Sequence, residues 1–448
     1  MFETRFIATF TLLLGWGYGL SQSVLEQYVA EGVQNNQQLL QEAMAVRSSR
    51  AALAEANGLF MPSVDFRTDY TIAGGGRLIQ FPIGDLLNPV YSTLNQLTET
   101  QAFPTDLENV NEQFFPNEFH DTKIRVVQPL FNSDIYFNRK ASQQLVNVAE
   151  AKRAVYEAEL VKEIKIAYFQ HLQAMESVDI IDANLVSLRE VLRFNQRRYE
   201  EDLITVDEVY NVEFRLSQLQ ADRATAEQQL ISSRAYFNFL LNRPVEELIV
   251  VDTTLTVDVA AGLAVSRSVA LGNRMELQQV RAAKEAQEYG IRLARGSKLP
   301  QVSGVFDVGY QGFGYEFDSD QDYYLLNFSL SWNIFQGFQN QHRVQRQRIE
   351  LEKLDSQEEQ LKSQISLEVI QARQALLAAQ QRREARESAY RSAQRSYRVT
   401  NSQYREDQAL LLELLQVQAA MQSADLERSI AKYEIMAREA QLQRTLAY

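Results

Sequence analysis

The sequence predicts a mainly α-helical fold with a small β part: long antiparallel helices of coiled-coil type, four β-strands, and the whole plan written twice. Three observations predict it. Glycine and proline are absent from Leu130 to Arg243 and again from Phe338 to Tyr448, in tracts rich in Ala, Leu, Glu, Gln, Arg and Lys, the strong helix formers. Breakers gather instead between Gly58 and Pro129 and between Gly262 and Gly337. Inside those breaker-rich tracts, apolar and polar residues alternate with period two, the strand signature.

The chain opens with "MFETRFIATFTLLLGWGYGLSQS", in which an apolar run from Phe6 to Leu14 follows Arg5 and small residues lead to Ser21. This reads as an export signal over residues 1–21, although Glu3 offsets Arg5; a buried N-terminal helix is the alternative. No later stretch is apolar enough for a membrane-spanning helix. The chain has no cysteine, which excludes disulfides, thiol catalysis, cysteine metal sites and a lipid-modified cysteine. A net charge of −13 argues against nucleic acid as a partner, since such a surface is basic.

A first repeat, 22–250, starts with an Ala-rich helix and enters a strand at about 63–71, "SVDFRTDY", where Val64, Phe66 and Tyr70 alternate with Asp65, Arg67 and Asp69. A second strand at about 121–130 places Ile124 and Val126 opposite Lys123 and Arg125. The residues between them read as a long surface loop. Its Gly74-Gly75-Gly76 lacks the Lys-Ser/Thr and following helix of a phosphate cradle and reads as a flexible turn. Next comes the first long helix. Its stripe, including Ile164, Tyr168, Leu172, Ile181, Leu185 and Leu188, recurs at three- and four-residue spacing and buries one face against neighbouring helices. Helix from Phe131 to Tyr199 would reach roughly 100 Å, too long for a compact domain; it implies a rod or a tube wall.

The second repeat, 251–448, has the same order. "MPSVDF" at 61–66 corresponds to "LPQVSG" at 299–304, and "PLFNSDIYFNR" at 129–139 to "NIFQGFQNQHR" at 333–343. Its strands fall at about 301–310 and 325–335; in the last, Leu326, Phe328, Leu330, Trp332 and Ile334 alternate with Asn327, Ser329, Ser331 and Asn333. From Phe131 to Tyr199 is 68 positions and from Phe335 to Tyr404 is 69, so the long helices match to one residue. Alternation over about ten residues with aromatics at the strand ends is the pattern of a transmembrane barrel; a soluble sheet with one wet face has the same period. Four strands close no barrel, and open edges in lipid leave backbone groups unsatisfied. Other copies must complete it. On that reading Asp65, Arg67, Asp69, Asn327, Ser329, Ser331 and Asn333 face the lumen.

The long helices break at matching places, in "RRYEEDLITVDEVYNV" (197–212) and "SQYREDQALLLELLQV" (402–417). Tyr199 and Tyr404 each precede an aspartate, Asp202 and Asp407, by three residues. Thr205 and Glu208 form a capping-box pattern that restarts the first helix; in the second tip Asp407 itself is the candidate N-cap. Leu203, Ile204 and Leu410 are apolar at solvent-facing turns, so with Thr205, Gln408 and Ala409 they read as a partner-docking surface. Asp202, Asp207, Glu406 and Asp407, beside Arg405 and the two tyrosines, read as a gate or an acidic, cation-preferring entrance. The plain alternative is charge for solubility and for the helix dipole.

Catalysis finds no support. The histidines 120, 171 and 342 are isolated in sequence, and no nucleophile elbow, phosphate loop or dinucleotide fingerprint appears. Neither a metal nor a cofactor is expected.

These residues resemble the TolC family of outer-membrane efflux and secretion channels over essentially the whole mature chain. The resemblance rests on Asn35, Asn36, Leu39 and Ala43 with the matching Asn273, Arg274, Glu276 and Leu277, on "MPSV" and "LPQV" entering the strands, on "QPLF" and "WNIF" leaving them, and on "RYEEDLIT" at the tip. It implies a homotrimer whose twelve strands form one barrel in outer-membrane lipid above a periplasmic helical tube. It also implies docking at the tips to a periplasmic adaptor (membrane fusion protein) and an inner-membrane pump. In this chain Asp202 and Asp407 stand where the family usually has glycine, and aspartate tolerates the left-handed backbone better than most residues. The rival reading is an envelope structural or adhesive coiled-coil protein without channel activity; four strands at fixed repeat positions count against it. A periplasmic adaptor is a further rival, lacking here the compact domain it needs.

Overall fold

The computed structural model describes residues 23–252 and 271–447; the signal expected over 1–21 lies outside the described residues. The chain divides into two compact units, and each draws on both repeats: residues 1–49, 145–284 and 352–448 form the first, and 50–144 with 285–351 the second.

The helical elements are α1 (Val24–Asn35), α2 (Gln37–Gly58), α3 (Ile83–Thr98), α4 (Ser133–Glu200), α5 (Val206–Leu241), α6 (Met275–Gly296), α7 (Gln339–Arg405) and α8 (Leu411–Leu446). A capping box starts α1: Glu26 N–H donates to Ser23 Oγ, and Ser23 N–H donates back to the Glu26 carboxylate, each at 3.2 Å. In the first unit the expected stripe of α4 is the core. Ile164, Tyr168 and Leu172 pack with Phe237 and Leu241 of α5, Ile365 and Leu376 of α7, and Ile435 of α8. Gly32 of α1 allows this approach, because a Cβ there would lie 2.4 Å from Ile164 Cδ1. Two buried tyrosines satisfy their hydroxyls on the segment that follows α5: Val250 N–H donates to Tyr28 and Asp252 N–H to Tyr168, both at 2.8 Å.

His171 lies in the same unit on α4, 4% exposed, its Nδ1 3.1 Å from Ser233 Oγ. Burial first, and then Arg234, pushes its pKa down from 6.5 to about 4. The folded state resists protonation that the unfolded chain accepts, so this contribution is fully present above the unfolded pKa and is lost as pH falls. Between pH 6.5 and pH 4 the stability should fall by on the order of 3 kcal/mol through this group. Chemical unfolding as a function of pH checks it: His171→Gln should flatten that window, and an unchanged slope would remove the role of His171.

The second unit contains the strands β1 (Ser63–Thr71), β2 (Leu78–Phe81), β3 (Val110–Gln113), β4 (Phe119–Phe131), β5 (Gln301–Phe313) and β6 (Asp322–Ser331). β1, β4, β5 and β6 form one antiparallel sheet in that order. Each of the four expected strands is present, with one correction. β6 ends at Ser331, so Asn333 falls in the irregular segment before α7 and strand parity no longer assigns its direction. Trp332 marks this exit, its indole N–H donating to the Lys298 carbonyl at 3.0 Å.

The long loop between β1 and β4 also differs from expectation. It contains its own two-stranded sheet, β2–β3, and the helix α3. Paired asparagine clamps hold it. Asn88 donates to and accepts from the backbone of Leu107, both at 2.9 Å, and Asn95 does the same with Phe103 at 2.7 and 3.0 Å. Gly84 and Pro89 inside α3 hide the helix from a reading based on breakers. Gly75 and Gly76 adopt φ of 78° and 92°, a backbone that favours glycine, as a turn requires.

Candidate functional site

Both hairpin tips belong to the first unit, and both break their helix by one device. Asp202 and Asp407 take left-handed φ of 56° and 60°. Asp202 N–H donates to the Tyr199 carbonyl at 3.0 Å and Leu203 N–H to Arg198 at 2.9 Å; Asp407 donates to Tyr404 at 3.3 Å and Gln408 to Gln403 at 2.7 Å. This is the Schellman pattern twice over, with aspartate at the left-handed position. The next helices start at Val206 and Leu411.

The caps expected there are corrected. Thr205 is the N-cap of α5, but its side chain accepts no cap hydrogen bond; Glu208, its expected partner, instead lies beside the Tyr404 phenol. Asp407 is no N-cap, since its left-handed backbone ends α7. The cap of α8 is Leu410, whose N–H donates to the Glu413 carboxylate at 3.1 Å.

The two tip tyrosines differ. Tyr404 is buried and donates to Asn195 Oδ1 at 2.5 Å. Its ring meets Phe194 edge-on, centroids 6.0 Å apart, and burial, then Glu208, pushes its pKa up. Tyr199 is exposed. Arg198 also bridges the hairpins: its guanidinium pairs with Asp407 and lies over the Phe194 ring, 5.5 Å from its centroid. Around these contacts pack Leu188, Val191, Val212, Leu411 and Leu414. Asn195 is fully buried, yet its Nδ2 has no partner. Such an orphan donor costs about 1–3 kcal/mol, so the observed packing leaves one polar group unpaid. The sequence offered one sign of Asn195: it is a polar residue falling on the stripe through Leu188 and Leu192. Nothing in the sequence paired Arg198 with Asp407.

Arg405 lines a 580 Å³ cavity with Arg193, Arg197, Phe194, Glu190 and Glu200. The remaining tip positions face solvent. Asp202, Thr205, Asp207, Glu406 and Gln408 are exposed, Ile204 and Ala409 half-buried, while Leu203 and Leu410 stand 61% and 68% exposed.

The second candidate surface is the sheet of the second unit. Directly paired residues share a face, and the register lines up Val64, Val126, Phe306 and Leu326 in one rank and Phe66, Ile124, Val308 and Tyr324 in the next. This face is apolar and largely exposed, Phe66 at 70% and Phe328 at 67%. Asp65, Arg67, Asp69, Asn327, Ser329 and Ser331 all lie on the other face. There Arg125 grips the buried Asp307 with two bonds of 2.8 and 2.7 Å, and Tyr323 donates to Asp121 at 2.9 Å. Asp307 escaped the sequence reading, though it is the one charge in "QVSGVFDVGY". β1 and β6 each have one unpaired edge. Among the described residues no cluster of His, Asp or Glu side chains is arranged to hold a metal, and no helix is long and apolar enough to cross a membrane.

Residues 267–447 match the family described as outer membrane efflux protein. The chain is 22% identical to the outer membrane protein TolC of Vibrio cholerae over 192 residues, which is 42% of this chain and 43% of that protein. The chain thus spans less than half the length of this relative in the match. Among solved structures, the outer-membrane channel OprN superposes with a TM-score of 0.76 at 18% identity, covering 95% of this chain and 90% of that one. The CmeC outer-membrane channel of Campylobacter jejuni gives 0.78 at 13% identity, with 95% and 86% covered.

Proposed function

We propose that this chain is a passive outer-membrane exit duct of a tripartite efflux pump or a type I secretion system, a reading supported by the match of residues 267–447 to the outer membrane efflux protein family and by a channel fold over nearly its whole length. The observation that carries the reading is the two-faced sheet with two free edges. A sheet with a broad exposed apolar face suits lipid only if no edge is left open, since unpaired backbone groups in hydrocarbon cost several kcal/mol each. Four strands from each of three copies, twelve in all, satisfy that requirement. The charged face, with Asp65, Arg67, Asp69, Asn327, Ser329 and Ser331, then lines the lumen.

In this reading the helical unit forms the periplasmic conduit, and its tips do two jobs. Tyr404, Arg405, Glu406 and Asp407 with Tyr199, Asp202 and Asp207 hold and line the entrance. Leu203, Ile204, Thr205, Gln408, Ala409 and Leu410 present the surface for a periplasmic adaptor, which joins the duct to an inner-membrane pump. No energy-converting step falls to this chain; the pump supplies it.

Cysteine labelling in proteoliposomes tests the membrane assignment, helped by a chain with no cysteine of its own. A water-soluble maleimide should modify cysteines at 65, 67, 327 and 329 and spare those at Phe66, Phe328 and Leu330. Equal labelling of both sets would mean a sheet wet on both faces and would return the chain to the envelope coiled-coil class.

A further inference from the structure

The turn between β5 and β6 lies at the end of the sheet away from the helices, since α2 and α6 lead into β1 and β5 while β4 and β6 lead out to α4 and α7. It folds back over the apolar face. Tyr315 meets Tyr70 edge-on with centroids 5.6 Å apart, and Phe317 meets Tyr310 at 5.3 Å; Tyr70 and Tyr310 share that face with Phe66 and Val308. His120 pins the turn. It is fully buried, its ring centroid is 4.9 Å from Tyr315 and 5.2 Å from Phe317, and its Nε2 is 2.8 Å from Gln321 Oε1 and 3.0 Å from the Glu316 carbonyl. Gly312, paired with His120, makes room for Gln321, which a Cβ there would strike. Thr68 and Thr122 pair their hydroxyls at 2.9 Å, so polar groups under the turn are satisfied from within.

Beside Phe317 runs an open groove of 790 Å³, lined by the rank of Phe66, Ile124, Val308 and Tyr324 with Thr122 and Tyr310 of the next rank. Its volume falls within the roughly 300–1,000 Å³ of small-molecule sites. The groove is continuous with the apolar face that the duct reading places in hydrocarbon, so the occupant it fits is a hydrocarbon chain. The charge beside it has one sign. Asp322 lines the groove, Glu316, Asp318 and Asp320 precede it in the turn, and all four are exposed. From Gln301 to Ser331 there is no lysine or arginine, and Lys123, the one cation at the groove, pairs with Asp121. Carboxylates without a cation repel a bare phosphate and attract an ammonium.

We propose that this groove holds one acyl chain of a lipid whose headgroup carries an ammonium, seated beside Phe317 with the ammonium against the carboxylates of the turn. The inference rests on the duct reading, which turns this face to lipid and this end of the sheet outward. Elsewhere the apolar face offers a chain only a surface; here the turn pinned by His120 adds a wall, and its acids select the headgroup.

Native mass spectrometry of the full-length oligomer tests the site. The oligomer is extracted in detergent and exposed to equal amounts of phosphatidylethanolamine and phosphatidylglycerol with the same chains. The unaltered protein should retain one phosphatidylethanolamine per copy, several-fold in preference to phosphatidylglycerol. Val308→Trp, which fills the groove, and Phe317→Ala, which removes the wall at an exposed turn, should each lower retention several-fold. Leu330→Trp, on the same face outside the groove, should keep it. Asp320→Asn with Asp322→Asn should retain both lipids equally. An oligomer that retains no lipid, retention unchanged in Phe317→Ala, or phosphatidylglycerol held as well as phosphatidylethanolamine by the unaltered protein would each overturn the proposal. The oligomer mass in the same spectra reports assembly, so should Val308→Trp fail to assemble, Phe317→Ala decides. Conductance in planar bilayers reports the duct separately: a conducting oligomer without bound lipid removes the site and keeps the duct.

Discussion

Replacing Arg198 by alanine and Tyr404 by phenylalanine together should raise single-channel conductance in planar bilayers several-fold. The two side chains make the polar contacts that join the hairpins at the tip: Arg198 to Asp407, and Tyr404 to Asn195. Each is modest alone. Asp407 is mostly exposed, and an exposed ion pair contributes about 0–1 kcal/mol; a neutral hydrogen bond contributes about 1 kcal/mol. Their joint loss of about 2 kcal/mol shifts a closed-to-open equilibrium by more than tenfold, and a ring repeats the change in every copy. The unpaired Nδ2 of Asn195 works in the same direction, since the observed packing already leaves a buried donor unsatisfied. Arg405→Ala separates contacts within a copy from contacts between copies: among the described residues Arg405 makes no ion pair, so a rise in conductance there assigns its carboxylate partner to a neighbouring copy. Conductance unchanged in the Arg198 and Tyr404 double variant would remove the gate from these residues.

Phe237→Ala should destabilise the helical unit by about 3–5 kcal/mol, measured as a lowered urea midpoint at an unchanged slope. The ring is fully buried and meets Tyr28 edge-on at 5.2 Å and Tyr168 at 5.7 Å between centroids. Removing it leaves a cavity and frees both tyrosines, whose hydroxyls hold the backbone N–H groups of Val250 and Asp252. Phe237→Leu keeps most of the volume and should cost under about 1.5 kcal/mol. A loss below about 1 kcal/mol for the alanine variant would mean that the helices collapse onto the cavity, against the cavity term expected of a close-packed core.

Local chemistry explains why so much of the architecture was legible. A long tract without glycine or proline has few ways to stop being helical, and α4 and α7 end where aspartate can take a left-handed backbone. Strand parity was legible for the same kind of reason: a period of two leaves only two faces, so Asp65, Arg67, Asp69, Asn327, Ser329 and Ser331 share one. The parity argument failed at Asn333, because alternation in sequence continued past the last ladder bond at Ser331. The helix α3 was missed for another reason: Gly84 and Pro89 lie inside it, so a reading based on breakers passes over its apolar positions Leu87, Tyr91 and Leu94.

The tip residues show the limit. Tyr199 and Tyr404 occupy equivalent places in sequence, and nothing local distinguishes them; packing alone buries Tyr404 on Asn195 and leaves Tyr199 in solvent. In the same way the sequence supplied Thr205 with Glu208 as a cap, and the approach of the second hairpin turned Glu208 toward Tyr404. Breaks, helix lengths and strand faces follow from the backbone preferences of residues a few positions apart, so the sequence by itself determined them. Which tyrosine is buried, which arginine bridges the tips and which carboxylate caps nothing depend on side chains some two hundred residues apart meeting in space. Only the tertiary structure decided these, because a helix stripe offers many equivalent positions and packing selects among them.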